Sequence, residues 1–184
     1  MKSESCVFTG FSNEPSDCQL VVVDLGYSAQ RRSCGIFWTG AAQPLELAFG
    51  DAVRHTAHVI ERLEKPLLVL EAVLSTYHTP SGNPDIRGEF ERGKGWYYGA
   101  GVLSFAGALR FLQVLAECLG KRCVYLAEAF LSNKDTPTAH AEDAVLIHQR
   151  FWQVRPVELR LGVVPASSAV TGVPSVRDFT VRPA

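Results

Sequence analysis

Three acidic side chains sit where apolar residues are expected. Glu71 interrupts LLVLEAVLS at Leu67–Ser75, Asp24 ends the run LVVVD, and Asp143 lies in HAEDAVLI. Burying an unpaired carboxylate among Leu and Val costs several kcal/mol, so such an acid needs a partner, a proton or a cation. His140 precedes Asp143 by three residues, which puts the two on one face if the segment is helical. Three carboxylates and an imidazole brought to one place would suit hard divalent ions such as Mg²⁺, with Mn²⁺ as a substitute. A pair of such ions about 4 Å apart can activate water and stabilise the leaving oxygen of a phosphodiester.

The elements that must position these groups can be read in order. Gln19–Leu25 is a continuous Leu/Val run, the pattern of a central strand covered on both faces. Ser33–Thr39 reads as its hairpin partner and Pro44–Phe49 as a third, short strand. Asp51–Glu64 repeats its apolar residues at the helical period and stops at Pro66. Leu67–Leu74 follows as a strand, so a right-handed parallel crossover is expected. Residues 75–95 are rich in Gly, Pro and charge and must be largely loop. Trp96–Leu119 predicts a long apolar helix, Lys121–Ala127 a strand, and 138–152 a final amphipathic helix. Val157–Val164 reads as one more strand, and the Val157–Arg182 tail is expected to pair at a sheet edge or across a dimer.

The order β-β-β-α-β-α-β-α predicts an α/β fold of the ribonuclease H-like type. Its mixed central sheet would hold three antiparallel and then two parallel strands, flanked by helices. The expected division is an extension over 1–17, one domain over 18–152, and a C-terminal strand and tail over 153–184. In that sheet Asp24, Glu71, His140 and Asp143 can converge at one edge.

At these residues the sequence resembles a family. VVVDLGYS, LVLEAVLS and HAEDAVLI are similar to the catalytic segments of RuvC-type Holliday junction resolvases, the last carrying that family's H-x-x-D as His140–Asp143. The resemblance spans roughly 18–152 in element order and is specific in those three segments. It implies Asp24, Glu71, His140 and Asp143 as catalytic residues, with the three acids as metal ligands. It also implies a Mg²⁺-dependent endonuclease, commonly a homodimer facing branched DNA.

Basic residues in loops leaving the same edge supply candidate phosphate contacts: Arg31 and Arg32 after the first strand, Arg87, Arg92 and Lys94 after the Glu71 strand, and Lys134 before the last helix. Tyr77, Phe90, Trp96 and Tyr97 are candidates for stacking on splayed bases, or for packing. Glu128 is either an additional acid at this edge or a surface carboxylate. Asp51, His55 and His58 read as a solvated helix face.

A net charge of −1 provides no global attraction to nucleic acid, so DNA binding must be local. Five cysteines without a C-x-x-C pair, and an N-terminus lacking an apolar core, fit a reduced cytoplasmic protein without a membrane span. Two rivals remain. Asp-Leu-Gly-Tyr-Ser is also similar to the first phosphate loop of actin-like ATPases, which need a second domain for which 184 residues leave no room. The other is a ribonuclease H-like domain that has lost catalysis and serves as a nucleic-acid-binding or assembly module.

Overall fold

The Leu/Val run containing Asp24 forms the strand β2 (Gln19–Leu25), and it is central, with both faces covered. A computed structural model of the chain describes residues 7–11, 17–28, 31–94, 100–131 and 138–179. Before β2 lies β1 (Val7–Thr9); after it come β3 (Cys34–Trp38) and β4 (Leu45–Leu47). They are followed by helix α1 (Phe49–Arg62), β5 (Pro66–Glu71), β6 (Ser75–Thr76), α2 (Ala100–Leu119) and β7 (Cys123–Phe130). The chain continues through α3 (His140–Arg150), β8 (Val164–Pro165), β9 (Val170–Thr171) and β10 (Ser175–Asp178).

The fold is α/β, a mixed central sheet flanked by helices. Strand order is β4-β3-β2-β5-β7-β1-β9, with β10 also on β7. The first three strands of the expected meander, β2, β3 and β4, are antiparallel, and β5 and β7 then run parallel to β2.

Period-two alternation divides the strands between two cores. Val21, Val23, Leu68, Leu70, Val124 and Leu126 face α1 and α2. Leu20, Val22, Leu67, Val69, Ala127 and Ala129 face the other way, with Ile147 of α3, Phe151 and Phe179. Each such Leu, Val, Ile or Phe, fully buried, contributes about 1.5–3 kcal/mol. Over Gly101–Leu119, α2 is long and apolar enough to cross a bilayer by length and composition alone. Here it presents Ala108, Phe111, Leu112 and Leu115 to the first core.

Both ends of the chain pair with the sheet, as expected of the tail. β1, inside the expected extension, pairs in parallel with the first half of β7. β10 pairs in parallel with the second half, Val176 opposite Glu128 and Asp178 opposite Phe130. The strand expected at Val157–Val164 does not form over 157–162. Its alternation is real, but Gly162 turns the chain at φ +92°. The backbone there makes single bonds instead of a ladder, from Val157 N–H to the Val176 carbonyl and from Arg160 N–H to the Arg87 carbonyl.

Because β10 and Phe179 are core, truncation after Gln153 is expected to lower the urea midpoint of unfolding sharply. Losing a buried Phe such as Phe179 alone costs about 3 kcal/mol or more. A truncated chain with an unchanged midpoint would contradict this placement.

Candidate active site

β2 and β5 are parallel and in register, and that register puts Asp24 directly beside Glu71 at the carboxyl ends of both strands. Alternation turns both side chains toward the α3 face. Asp24 is buried and Glu71 is partly exposed. Opposite Asp24 on β3 stands Gly35. A Cβ at Gly35 would collide with the carbonyl of His140 and the nitrogen of Ala141. Glycine therefore allows the first turn of α3 to seat directly on the sheet, one strand from Asp24.

That seating brings His140 Nδ1 to 2.9 Å from Asp24 Oδ1. Asp143, one turn further along, is buried against the sheet, and its Oδ1 accepts a 2.6 Å hydrogen bond from Thr138 Oγ1. The helix start is closed by Glu142, whose Oε2 accepts from the Ala139 N–H.

Burial disfavours charge on Asp24, yet the hydrogen bond with His140, and then Glu71, the His140 charge and Asp143, outweigh it and hold its carboxyl below the ordinary range. Asp24 Oδ2 is buried with no geometric hydrogen-bond partner among the described residues. A buried anionic oxygen among oxygen ligands is a setting that a hard cation satisfies. Among the described residues, however, no three His, Cys, Asp or Glu side chains are already gathered around a point that could hold a metal ion. The donor chemistry fits a divalent cation; a gathered coordination shell is not present.

The expected basic patch is largely spent inside the protein. Arg87 is fully buried and forms ion pairs with Glu91 at 2.6 Å and Glu128 at 2.7 Å. It also donates to Ser75 Oγ at 2.8 Å. Burial opposes its charge, but Glu128 and Glu91 overcome that and raise the guanidinium's proton affinity. Arg87 is thus a core ion-pair residue and not a phosphate contact, because no surface remains to meet a ligand. Arg92 is exposed but forked onto Glu89, and Lys94 reaches Asp178 at 3.0 Å across the Phe130 ring. Arg31 and Arg32 are exposed and make no ion pair among the described residues. Lys134, Trp96 and Tyr97 lie outside the described residues. Tyr77 packs under Arg160, and Phe90 meets Phe130 edge-on, so both serve as packing anchors.

Glu128 is neither a surface carboxylate nor part of the acid cluster. β7 extends to Phe130, and register places Glu128 beside Leu70, on the sheet face opposite Asp24 and Glu71. Its Oε2 accepts from Leu74 N–H and from Arg87. The buried set of Ser75, Arg87, Glu91 and Glu128 was missed as a unit. One signal was present: Glu128 in YLAEAF is as apolar in its neighbours as Glu71. Arg87 and Glu91, at i and i+4, gave no helix to pair them on.

His55 leans on the Trp38 ring and is partly buried, while Asp51 is exposed and bonded to Arg54. Only Asp51 and His58 remain on the solvated face. Comparison with protein-family models, curated proteins and solved structures finds no match to this chain.

The Gly35→Ala substitution tests the seating of α3. The added methyl must push the helix from β3, so the His140–Asp24 contact should be lost and stability should fall by about 1–3 kcal/mol. Denaturant unfolding, with the His140 ring resonances followed by NMR, would show both. Unchanged stability and resonances would contradict the close approach.

Proposed function

We propose that this chain is a metal-dependent endonuclease with a ribonuclease H-like fold, acting on phosphodiester bonds of branched or otherwise structured DNA. The observation that carries the reading is the in-register pair Asp24–Glu71 with His140 at 2.9 Å and Asp143 buried on the same helix face. Strand order adds support. From the edge inward, β4-β3-β2-β5-β7 holds the third, second, first, fourth and fifth strands of the expected core, with the fourth and fifth parallel to the first. This order is the one a ribonuclease H-like reading expects, and Asp24 and Glu71 stand at the carboxyl ends of parallel strands, where open α/β sheets place ligands.

In this reading Asp24, Glu71 and Asp143 hold Mg²⁺ or Mn²⁺. Bound there, the ions supply an activated water and offset charge on the leaving oxygen. Asp24 is the fixed ligand, buried at the strand end. Glu71, longer and partly exposed, is the ligand on the solvent side of the pair. His140 holds the Asp24 carboxyl in its ionised form and orients it. Arg31 and Arg32, in the loop leaving β2, meet backbone phosphates and so place the strand against the acids.

A second reading is a binding or assembly module of the same fold without catalysis. It is favoured by the internal pairing of Arg87, Arg92 and Lys94, and by the absence of a gathered ligand set among the described residues.

Incubation with junction, flap, single-stranded and duplex DNA in Mg²⁺ or Mn²⁺ separates the two. The nuclease reading expects cleavage of at least one structured substrate. It also expects Asp24→Asn and Glu71→Gln to slow that cleavage about a hundredfold or more, the scale on which one charge-stabilising group acts. No cleavage, or variants that cut like the wild type, would overturn it. Intact nucleic-acid or partner binding by those variants, without cutting by any form, would favour the module.

A further inference from the structure

A cavity of about 380 Å³ opens between the loop leaving β2 and the helices α1 and α2, lined by Tyr27, Ser28, Ala48, Phe49, Gly50 and Arg110. We propose that it is a nucleotide subsite, in which an unpaired base lies on the Tyr27 ring and the adjoining phosphate meets Arg110. The choice of DNA as ligand rests on the nuclease reading above; the chemistry of the cavity itself does not.

Three features define the ligand. The first is a fixed aromatic platform. Tyr27 is 62% exposed, an unusual exposure for a large ring, yet it is not loose. Its ring meets Phe49 edge-on, with centroids 5.3 Å apart at 83°. On another side it lies against Gly107 of α2, where an added Cβ would stand only 3.4–3.5 Å from the Tyr27 Cβ, Cγ and Cδ2. A ring supported in this way and still largely open offers a surface for stacking with little ordering cost.

The second feature is an uncommitted cation. Arg54, Arg87, Arg92 and Arg160 all have carboxylate partners. Arg110 is exposed, is steadied at 2.9 Å by Gln113 Oε1, and makes no ion pair among the described residues. Among the described residues no carboxylate lines the cavity, so none of them repels an anion there. The third feature is space. A Cβ at Gly50 would find only Arg54 Nη1, at 3.7 Å. Aromatic, guanidinium and room for a ring together match a nucleotide better than a purely apolar or purely anionic ligand.

Position ties the cavity to the acids. Tyr27 follows Asp24 by three residues, so their Cα atoms can be no more than about 11 Å apart. The cavity lies on the α1/α2 side of the sheet and the Asp24 carboxylate on the α3 side, so a strand reaching both rounds the end of β2. At about 3.4 Å of rise per nucleotide in a duplex strand, the backbone separation alone corresponds to about three nucleotides at most. A stacked base must be out of its helix, so the subsite selects an unpaired nucleotide close to the cut, as at a flap, fork or junction.

The test uses the full chain, chelator to prevent cutting, and polarisation of a labelled thymidine 12-mer beside a blunt duplex of the same length. Tyr27→Ala should weaken single-strand binding between fivefold and a hundredfold, the range of one lost stacking contact, with little effect on duplex. Tyr27→Phe should bind within twofold of wild type. Gly50→Leu fills the cavity without changing charge and should weaken the single strand as Tyr27→Ala does. Arg110→Gln should weaken binding and lower the slope of log affinity against log salt by about one.

Equal losses on duplex and single strand, wild-type binding by Tyr27→Ala or Gly50→Leu, or no single-strand binding by the wild type would overturn the subsite. If Tyr27→Ala unfolds, the exposed Gly50 and Arg110 positions still decide. The two readings fail separately. Cleavage that depends on Asp24 while Tyr27→Ala binds normally removes the subsite alone. Loss of single-strand binding in Tyr27→Ala, with no cleavage by any form, leaves the subsite on a domain that does not cut.

Discussion

Two carboxylates side by side at the ends of adjacent parallel strands repel one another, and much of this structure's local detail responds to that constraint. The register of β2 and β5 gives Asp24 and Glu71 no choice of distance along the sheet. Asp143 adds a third acid from α3. Among the described residues, the imidazole of His140 is placed on Asp24 Oδ1. Reaching it requires α3 to lie directly on β3, which in turn requires Gly35. A purely structural element would gain nothing from this arrangement, because apolar residues at 24, 71 and 143 would pack without the electrostatic cost. That cost is the physical reason to read the cluster as a site.

The opposite sheet face handles buried acids differently. Glu128 and Glu91 share the single charge of Arg87, burial raises the Glu91 carboxyl's proton affinity, and Ser75 and the Leu74 N–H complete the hydrogen bonding. Removing one partner from such a buried set leaves uncompensated charge and costs about 3–5 kcal/mol. The network fastens the long segment after Glu71 to β7, and β6–β8 pairing with the Arg160–Asp85 ion pair fastens it to the C-terminal segment. One protein thus contains two solutions to the same problem. On one face the acids are held by an arginine; on the other, Asp24 meets a half-exposed histidine.

Sequence patterning carried much of this, and its failures have physical causes. The Leu/Val runs around Asp24 and Glu71 identified the central strands, because residues buried on both faces leave no alternation to misread. His140 and Asp143 were legible as a pair from helical spacing. Their contact with Asp24 was not, since it depends on how closely α3 approaches Gly35. Arg87 was misread as a phosphate contact because a charged residue in a Gly- and Pro-rich loop looks solvated. Only the tertiary partner Glu128, forty-one residues on, shows otherwise. The tail was legible as a pairing segment, but not the placement of its strand at 175–178 on β7, which lies across a long sequence separation, whereas Val157–Val164 has the alternation of a strand but a turn at Gly162.

The account's central claim is that Asp24, Glu71 and Asp143 form a divalent-cation site and are more than a strained cluster of acids. Isothermal titration of the full chain with Mn²⁺ tests it most directly. The prediction is saturable binding by the wild type that is lost or weakened at least tenfold in Asp24→Asn and in Glu71→Gln, with both variants folded. No saturable binding, or unchanged affinity in both variants, would contradict it.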